Sequence, residues 1–336
     1  MFTSQDIDKT NGTIKIFPVS TEISVAKING SSVSYYGAIK RKDRIETRNN
    51  KNSKFEIGSI TKLFTSTVLA QMSMEHLLEI DDPIDLKLGF PLKNNSKITY
   101  KELSTHRSGL PRIPFDLLVS LIFKKTDNPY RDYSEDKLIK YLKNDLRIKN
   151  KGKFKYSNLG AGLLGYVLSK QSAMSFDALL KQRVFSQLNM VESTTIRDEV
   201  KEQLVMGLNK KGKPTANWDL NIFAGAGAVI SSVSDLSKFI VANIEGSNEA
   251  LNYQRQIISE NKKHSMGLGW FILINKIPGI DRVYFHNGGT GGYRSSLVAD
   301  FEKGHGIIIL SNISAANLFK ANKVDKLALN LLKNMN

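Results

Sequence analysis

The sequence contains no cysteine among its 336 residues. Disulfides, thiolate metal sites and cysteine nucleophiles are excluded at once, which suits an oxidising compartment without requiring one. No apolar run approaches the roughly 18 residues that a membrane-spanning helix needs. No repeat with a period of roughly 20 to 50 residues and no low-complexity segment is present, so solenoid and disordered readings fall away. Acid is scarce: 48 Lys plus Arg face 32 Asp plus Glu, a formal charge of +16. Such an excess can serve nucleic acid, an anionic membrane face or an anionic cell-wall polymer. The densest basic stretch, KYLKNDLRIKNKGKFK at residues 140–155, is interrupted by Asn, Asp and Gly and matches no nucleic-acid module. It reads as a solvated face, with attraction to a cell-wall polymer as the alternative and no nucleic-acid partner. The first residues, MFTSQDIDKTNGTIKIF, lack the basic start and apolar centre of a secretory signal. The expectation is an exported protein of the periplasm or cell envelope whose signal lies outside this sequence; a cytoplasmic protein is the alternative.

What is present is the composition of a globular chain, with 41% hydrophobic and 24% charged residues. Residues 13–41 alternate apolar and polar side chains around Asn29-Gly30, and a second turn is expected at Gly37, giving a hairpin or meander. FEIGSITKLFTSTVLAQM, residues 55–72, starts an apolar helix. A helix-rich middle follows, with ITYKELSTHRSGLP, LGAGLLGYVLSKQ and SFDALLKQRVFSQL. From Gly225 a glycine turn leads to a helix beginning near Ser234. GLGWFILIN, DRVYFHNGG, YRSSLVADF and GHGIIILSN then read as four strands of an antiparallel sheet. A closing helix with apolar residues at Leu318, Val324, Leu327, Leu329, Leu331 and Leu332 is expected to cover that sheet. The expected fold class is α/β of the α+β kind. Residues 1–80 and 221–336 would form one sheet domain, and residues 81–220 an inserted, mostly helical lobe with a cleft at the junction.

Three elements carry chemistry. Ser59 precedes a helix with Ile60, Leu63, Phe64, Val68 and Met72 at helical spacing. Free N–H groups and the positive dipole end in such a first turn favour a developing anion. Lys62 lies one turn on; in a partly buried site it loses its proton near neutral pH and serves as base to the hydroxyl. Serine is equally a favoured helix cap, and Ser134-Glu-Asp-Lys137 shows how readily the same pattern arises. The second element is Tyr156-Ser157-Asn158, in a loop before a glycine-rich helix. A phenol beside an ammonium has a lowered pKa, so Tyr156 can exchange protons with Ser59, while the Asn158 amide can hold a lysine or a substrate carbonyl. The third is FHNGGTGGYRSS, residues 285–296, whose glycines let the backbone approach a substrate and aim an N–H at an oxyanion. A plain glycine hairpin is the competing reading. A phosphate-cradling loop is disfavoured, because no helix start or Gly-Lys-Ser/Thr follows.

Ser59-x-x-Lys62, Tyr156-x-Asn158 and His286-x-Gly288, in that order, resemble the three signatures of the serine β-lactamase and penicillin-binding-protein superfamily, in its class C-like branch of esterases and D-amino-acid peptidases. LSTHRSGLP, GAGAVISSVSDLSKF and GLGW resemble flanking segments of the same branch, and the likeness runs from about Phe55 to Asn312. The resemblance implies a β-lactamase/transpeptidase-like fold, an antiparallel sheet flanked by helices with a helical lobe. It further implies an acyl-enzyme at Ser59, base and acid work shared by Lys62 and Tyr156, and orientation by Asn158. The oxyanion hole would be the backbone N–H groups of Ser59 and of Gly289, which follows Gly288. No metal and no organic cofactor is implied.

His286 stands where the superfamily's β-lactamases and transpeptidases carry lysine. Lysine is a permanent cation suited to a substrate carboxylate, whereas histidine is only partly charged near neutral pH. Arg294 can replace that cation, but a surface arginine at a strand start is the plainer expectation. His106 reads as structural, and His76, His264 and His305 have no metal-ligand spacing. The expected function is a serine hydrolase acting through Ser59 on an ester, a D-amino-acid amide or peptide, or a cell-wall-type substrate, with weak β-lactam hydrolysis. The alternatives are a true class C-type β-lactamase or D-alanyl-D-alanine carboxypeptidase and, from another class, a sensor that binds penicillin or peptide without turnover. Expected partners are a small-molecule or peptide substrate and an anionic cell-wall polymer. The irregular segment VSLIFKKTDNPYRDY, residues 119–133, is expected to border the cleft.

Overall fold

Apolar alternation on both sides of Asn29-Gly30 produces a tight hairpin, β1 (Glu22–Asn29) and β2 (Ser32–Lys40), with Asn29 opposite Ser32. The computed structural model describes residues 1–123, 126–260 and 265–335. His264, and Lys124 and Lys125 of the segment expected at the cleft, lie outside the described residues. Gly30 turns the hairpin with φ +59°, a conformation that glycine adopts without strain. Gly37 makes no turn. It pairs with Ser24 inside β2, and a Cβ there would meet Asn50 Oδ1 at 2.0 Å. The missing side chain admits Asn50, whose Nδ2 donates to Glu22 and to the Ile23 carbonyl, each at 3.0 Å.

A helix that periodicity does not announce, α1 (Ser4–Lys15), precedes the hairpin. Its buried residues are Asp6, Thr10 and Ile14, two of them polar, so no apolar stripe marks it. A capping box between Thr3 and Asp6 starts it, and Lys27 Nζ donates to Asp6 at 2.8 Å.

The main elements that follow are β3 (Ile45–Thr47), α2 (Thr61–Met74), α3 (Asn158–Ser172) and α4 (Val233–Glu245), which begins one residue before the expected Ser234, capped by Ser232. Then come β4 (Ser259–Glu260), β5 (Ser265–Met266), β6 (Phe271–Ile277), β7 (Ile280–Gly289), β8 (Arg294–Asp300), β9 (His305–Ser311) and α5 (Leu318–Lys333). One antiparallel sheet takes the nine strands in the order β3-β2-β1-β9-β8-β7-β6-β5-β4. The two ends of the chain meet in it, with Ile23 opposite Ser311. Among the described residues, 81–220 contribute no strand to this sheet.

Each sheet face buries its own core. Val298, Ile307 and Ile309 pack with Ile14 of α1 and with Val324, Leu327 and Leu331 of α5. Leu297, Ile308 and Leu310 point the other way, into the larger core that holds α2 and α3. Leu318 of the expected α5 stripe stays exposed. Every residue of α2 from Thr61 to Met72 is buried, the signature of a central helix. Each buried Leu, Phe or Val there contributes about 1.5–3 kcal/mol, which makes α2 a rigid base for the residues at its start. Phe55–Glu56 pairs with Ile230–Ser231, bringing the approach to Ser59 beside the segment that follows Gly225. Among the described residues no helix is long and apolar enough to cross a membrane.

Candidate active site

Ser59 occupies a single 3-10 turn, Gly58–Ile60, in front of α2, and neither element has a side-chain cap. Its Oγ lies 2.8 Å from Lys62 Nζ instead. The other Ser-x-x-Lys pattern behaves differently. Ser134 Oγ accepts from the Lys137 backbone N–H at 3.4 Å, and Lys137 Nζ turns away to the Asp132 carbonyl.

Lys62 is buried, and Nζ also reaches Asn158 Oδ1 at 3.1 Å and the Ala226 carbonyl at 2.7 Å. Burial first, and then the Arg112 guanidinium, hold its pKa well below the ordinary 10.5. Once deprotonated, the amine keeps two N–H bonds for these two carbonyl-type oxygens and one lone pair for the serine hydroxyl.

The Tyr156 pKa is not lowered. Burial raises it to about 12, outweighing a hydrogen bond with Ser59 and the nearby charge of Arg112. The expectation set an ammonium beside the phenol to lower it, and burial of the ring outweighs the charges around it. The ring is held by His106 at 4.4 Å and Phe271 at 6.4 Å between centroids, with Lys62 Nζ 5.0 Å and Arg112 5.5 Å from its centre. His106 Nδ1 also accepts from the Ser157 N–H at 3.4 Å, so this histidine positions the tyrosine loop. Asn158 Nδ2 donates to the Tyr130 hydroxyl at 3.3 Å, and Tyr130 packs on Trp218 and Phe223. Tyr130 thereby brings the 119–133 segment to the site.

His286 is buried, with Nδ1 2.8 Å from the Asn287 carbonyl. Burial and then Lys62 push its pKa down to about 3, so the ring is neutral rather than partly charged. Gly288 and Gly289 press β7 against the Ser59 turn. A Cβ on Gly288 would meet the Ile57 carbonyl at 1.9 Å, and one on Gly58, whose φ is +52°, would meet Gly289 N at 2.5 Å. Replacing Gly288 with alanine is expected to separate the two backbones and cost about 10²-fold in kcat, together with a lower Tm. Steady-state kinetics and thermal melting check both. Pairing with β6 stops at Phe285, while pairing with β8 continues to Gly289. Residues 287–289 therefore present a strand edge free of β6 beside Ser59.

Arg294 is not a surface residue. It forms an ion pair with Asp325 of α5, and the two side chains are only 12% and 16% exposed. Asp325 also accepts from Asn287 Nδ2 at 2.9 Å. Sequence reasoning missed Arg112, Tyr130, Ala226 and Asp325. Ala226 acts through its carbonyl, which carries no residue-type signal, and Asp325 occupies a polar position on an amphipathic helix. Arg112 had a usable signal in its adjacency to THRSGLP, and Tyr130 lay in the 119–133 segment expected at the cleft without being singled out.

The arrangement joins a buried amine, a hydroxyl and a phenol at a helix start against a glycine strand, and the model of the Beta-lactamase family matches residues 22–330. The chain belongs to the Beta-lactamase family. Members resembling it are β-lactamase-like and penicillin-binding-protein-like serine hydrolases. Penicillin-binding protein 4* of Bacillus subtilis is 26% identical over 326 residues, covering 86% of this chain and 67% of its own. A beta-lactamase of Providencia stuartii is 27% identical over 243 residues, covering 70% and 58%. Beta-lactamase-like protein 2 of Dictyostelium discoideum is 31% identical over 163 residues, covering 45% and 28%. The chain thus spans about two thirds or less of the length of these relatives. The class C beta lactamase of Rhodobacter sphaeroides superposes with a TM-score of 0.82 at 17% identity over 99% of both chains. The octameric penicillin-binding protein homologue of Pyrococcus abyssi gives 0.82 at 23% identity, covering 99% of this chain and 78% of that one. At such identities the likeness establishes the β-lactamase/transpeptidase fold, and chemistry is argued from the site.

Proposed function

We propose that this Beta-lactamase family protein hydrolyses an ester or a D-amino-acid-type amide through an acyl-enzyme on Ser59. The observation that carries this reading is the 2.8 Å approach of Lys62 Nζ to Ser59 Oγ, with Asn158 and Ala226 accepting its remaining hydrogens. Ser59 Oγ attacks the substrate carbonyl carbon while its proton passes to Lys62 Nζ. The backbone N–H groups of Ser59 and Gly289 hold the oxyanion. As the intermediate collapses, Tyr156 donates its proton to the departing alcohol or amine and regains one from Lys62. Water then attacks the ester, giving its proton to the Lys62–Tyr156 pair, and Ser59 leaves reprotonated. His286 supplies an uncharged edge to the site, which supports weak β-lactam turnover only. The formal charge of +16 and the relatives named as penicillin-binding proteins support a cell-envelope location and a cell-wall-type substrate.

The test is to incubate the protein with p-nitrophenyl butyrate, a chromogenic cephalosporin and a fluorescent penicillin, then map adducts by peptide mass. Ester turnover with a transient adduct on Ser59 is expected. An adduct confined to another side chain overturns the mechanism, and a stable penicillin adduct without ester turnover favours a sensor.

Arg112 gives a further check. Its charge lowers the Lys62 pKa, so Arg112→Gln should raise that pKa and move the acid limb of the kcat/KM profile to higher pH. Because Arg112 is exposed, the difference between the two proteins shrinks in 1 M salt, where screening shortens to about 3 Å.

A further inference from the structure

Along the strand edge beside Ser59 stand one cation and one anion that the proposed reaction does not use. Arg294 opens β8 opposite Gly289, and a Cβ on Gly289 would lie 3.7 Å from Arg294 Nη1. The guanidinium therefore lies on the side of Gly289 where a side chain would stand. Nη2 is committed to Asp325 Oδ2, and the same oxygen accepts from Asn287 Nδ2 at 2.9 Å. Arg294 Nε and Asp325 Oδ1 are buried without a hydrogen-bond partner among the described residues, as is His286 Nε2. The edge thus offers an uncharged histidine acceptor, an amide turned to Asp325 and a guanidinium already neutralised. Arg112 lies over the Tyr156 ring, exposed to solvent. The Arg294 charge reaches the Tyr156 phenol, the proton donor to the leaving group, so a carboxylate on that group would meet a guanidinium already neutralised by Asp325, whose largely buried carboxylate repels a second anion.

We infer that Asp325 is a specificity-determining residue that restricts the site to substrates with no carboxylate on the leaving-group side. Esters and amides of neutral alcohols or amines are selected over peptides ending in a free carboxylate. The inference rests on the acyl-transfer reading above and narrows its substrate class.

The test compares p-nitrophenyl butyrate with 3-carboxy-4-nitrophenyl butyrate, each corrected for spontaneous hydrolysis. Wild type should prefer the neutral ester by about tenfold or more in kcat/KM, the scale of one hydrogen bond to a charged group. Asp325→Asn frees Arg294 and should cut that preference about tenfold. The double variant Asp325→Asn/Arg294→Gln should restore it, because the gain depends on the released guanidinium. A wild-type ratio near one, an unchanged ratio in Asp325→Asn, or a gain that survives in the double variant overturns the inference while leaving the hydrolase intact. Absence of Ser59-dependent turnover of both esters overturns the hydrolase and this inference with it. The wild-type ratio is decisive by itself if Asp325→Asn fails to fold.

Discussion

Replacing Ser59 with alanine should lower ester kcat by about 10⁶-fold, the scale seen when a nucleophile is removed from a unit that acts together. The acyl adduct should vanish at the same time. Ser59 is half-buried in a turn whose neighbours Gly58 and Ile60 are buried, and its hydroxyl caps no helix. Alanine adds no atom to that turn, so thermal melting should stay close to wild type, separating lost chemistry from lost fold. A variant that keeps both the adduct and the wild-type pH profile would move the nucleophile elsewhere.

Lys62→Met should cost about 10⁴-fold, the upper range for removing a general base. Methionine matches the lysine stem in an interior where volume changes are felt, while removing the lone pair that takes the serine proton. Wild-type activity should fall as pH drops through the depressed Lys62 pKa, since the protonated amine has no lone pair. The residual activity of Lys62→Met should lack that acid limb; a retained limb would assign the base to another group. The variant combined with Ser59→Ala should be no slower than Ser59→Ala alone, because the two residues serve one proton transfer. Linkage carries the same direction. With its folded pKa below the unfolded 10.5, Lys62 contributes full stability above 10.5 and loses it as pH falls through the folded value.

The C-terminal strands were legible because alternation and glycine turns mark half-buried antiparallel strands, and β6 to β9 appear where those runs lie. The α1 helix was not, since its buried face is largely polar and its support comes from distant partners such as Lys27. Gly37 misled because a glycine that admits a neighbouring side chain reads in sequence like a glycine that turns the chain. At the site, Ser59, Lys62, Tyr156, Asn158, His286, Gly288 and Gly289 could be named from ordered short motifs. The partners that hold them could not. Ala226 is 164 residues from Lys62, and Asp325 is 31 from Arg294.

The sequence by itself determined the family and named the side chains that gather at the candidate site, because spaced residue types survive as text whatever surrounds them. Tertiary structure alone decided their charge states and the fate of Arg294. Burial lowered the Lys62 pKa, raised that of Tyr156 and discharged His286, while α5 brought Asp325 onto the arginine. The physical reason is that proton affinity and ion pairing depend on desolvation and on through-space neighbours, which chain order does not encode.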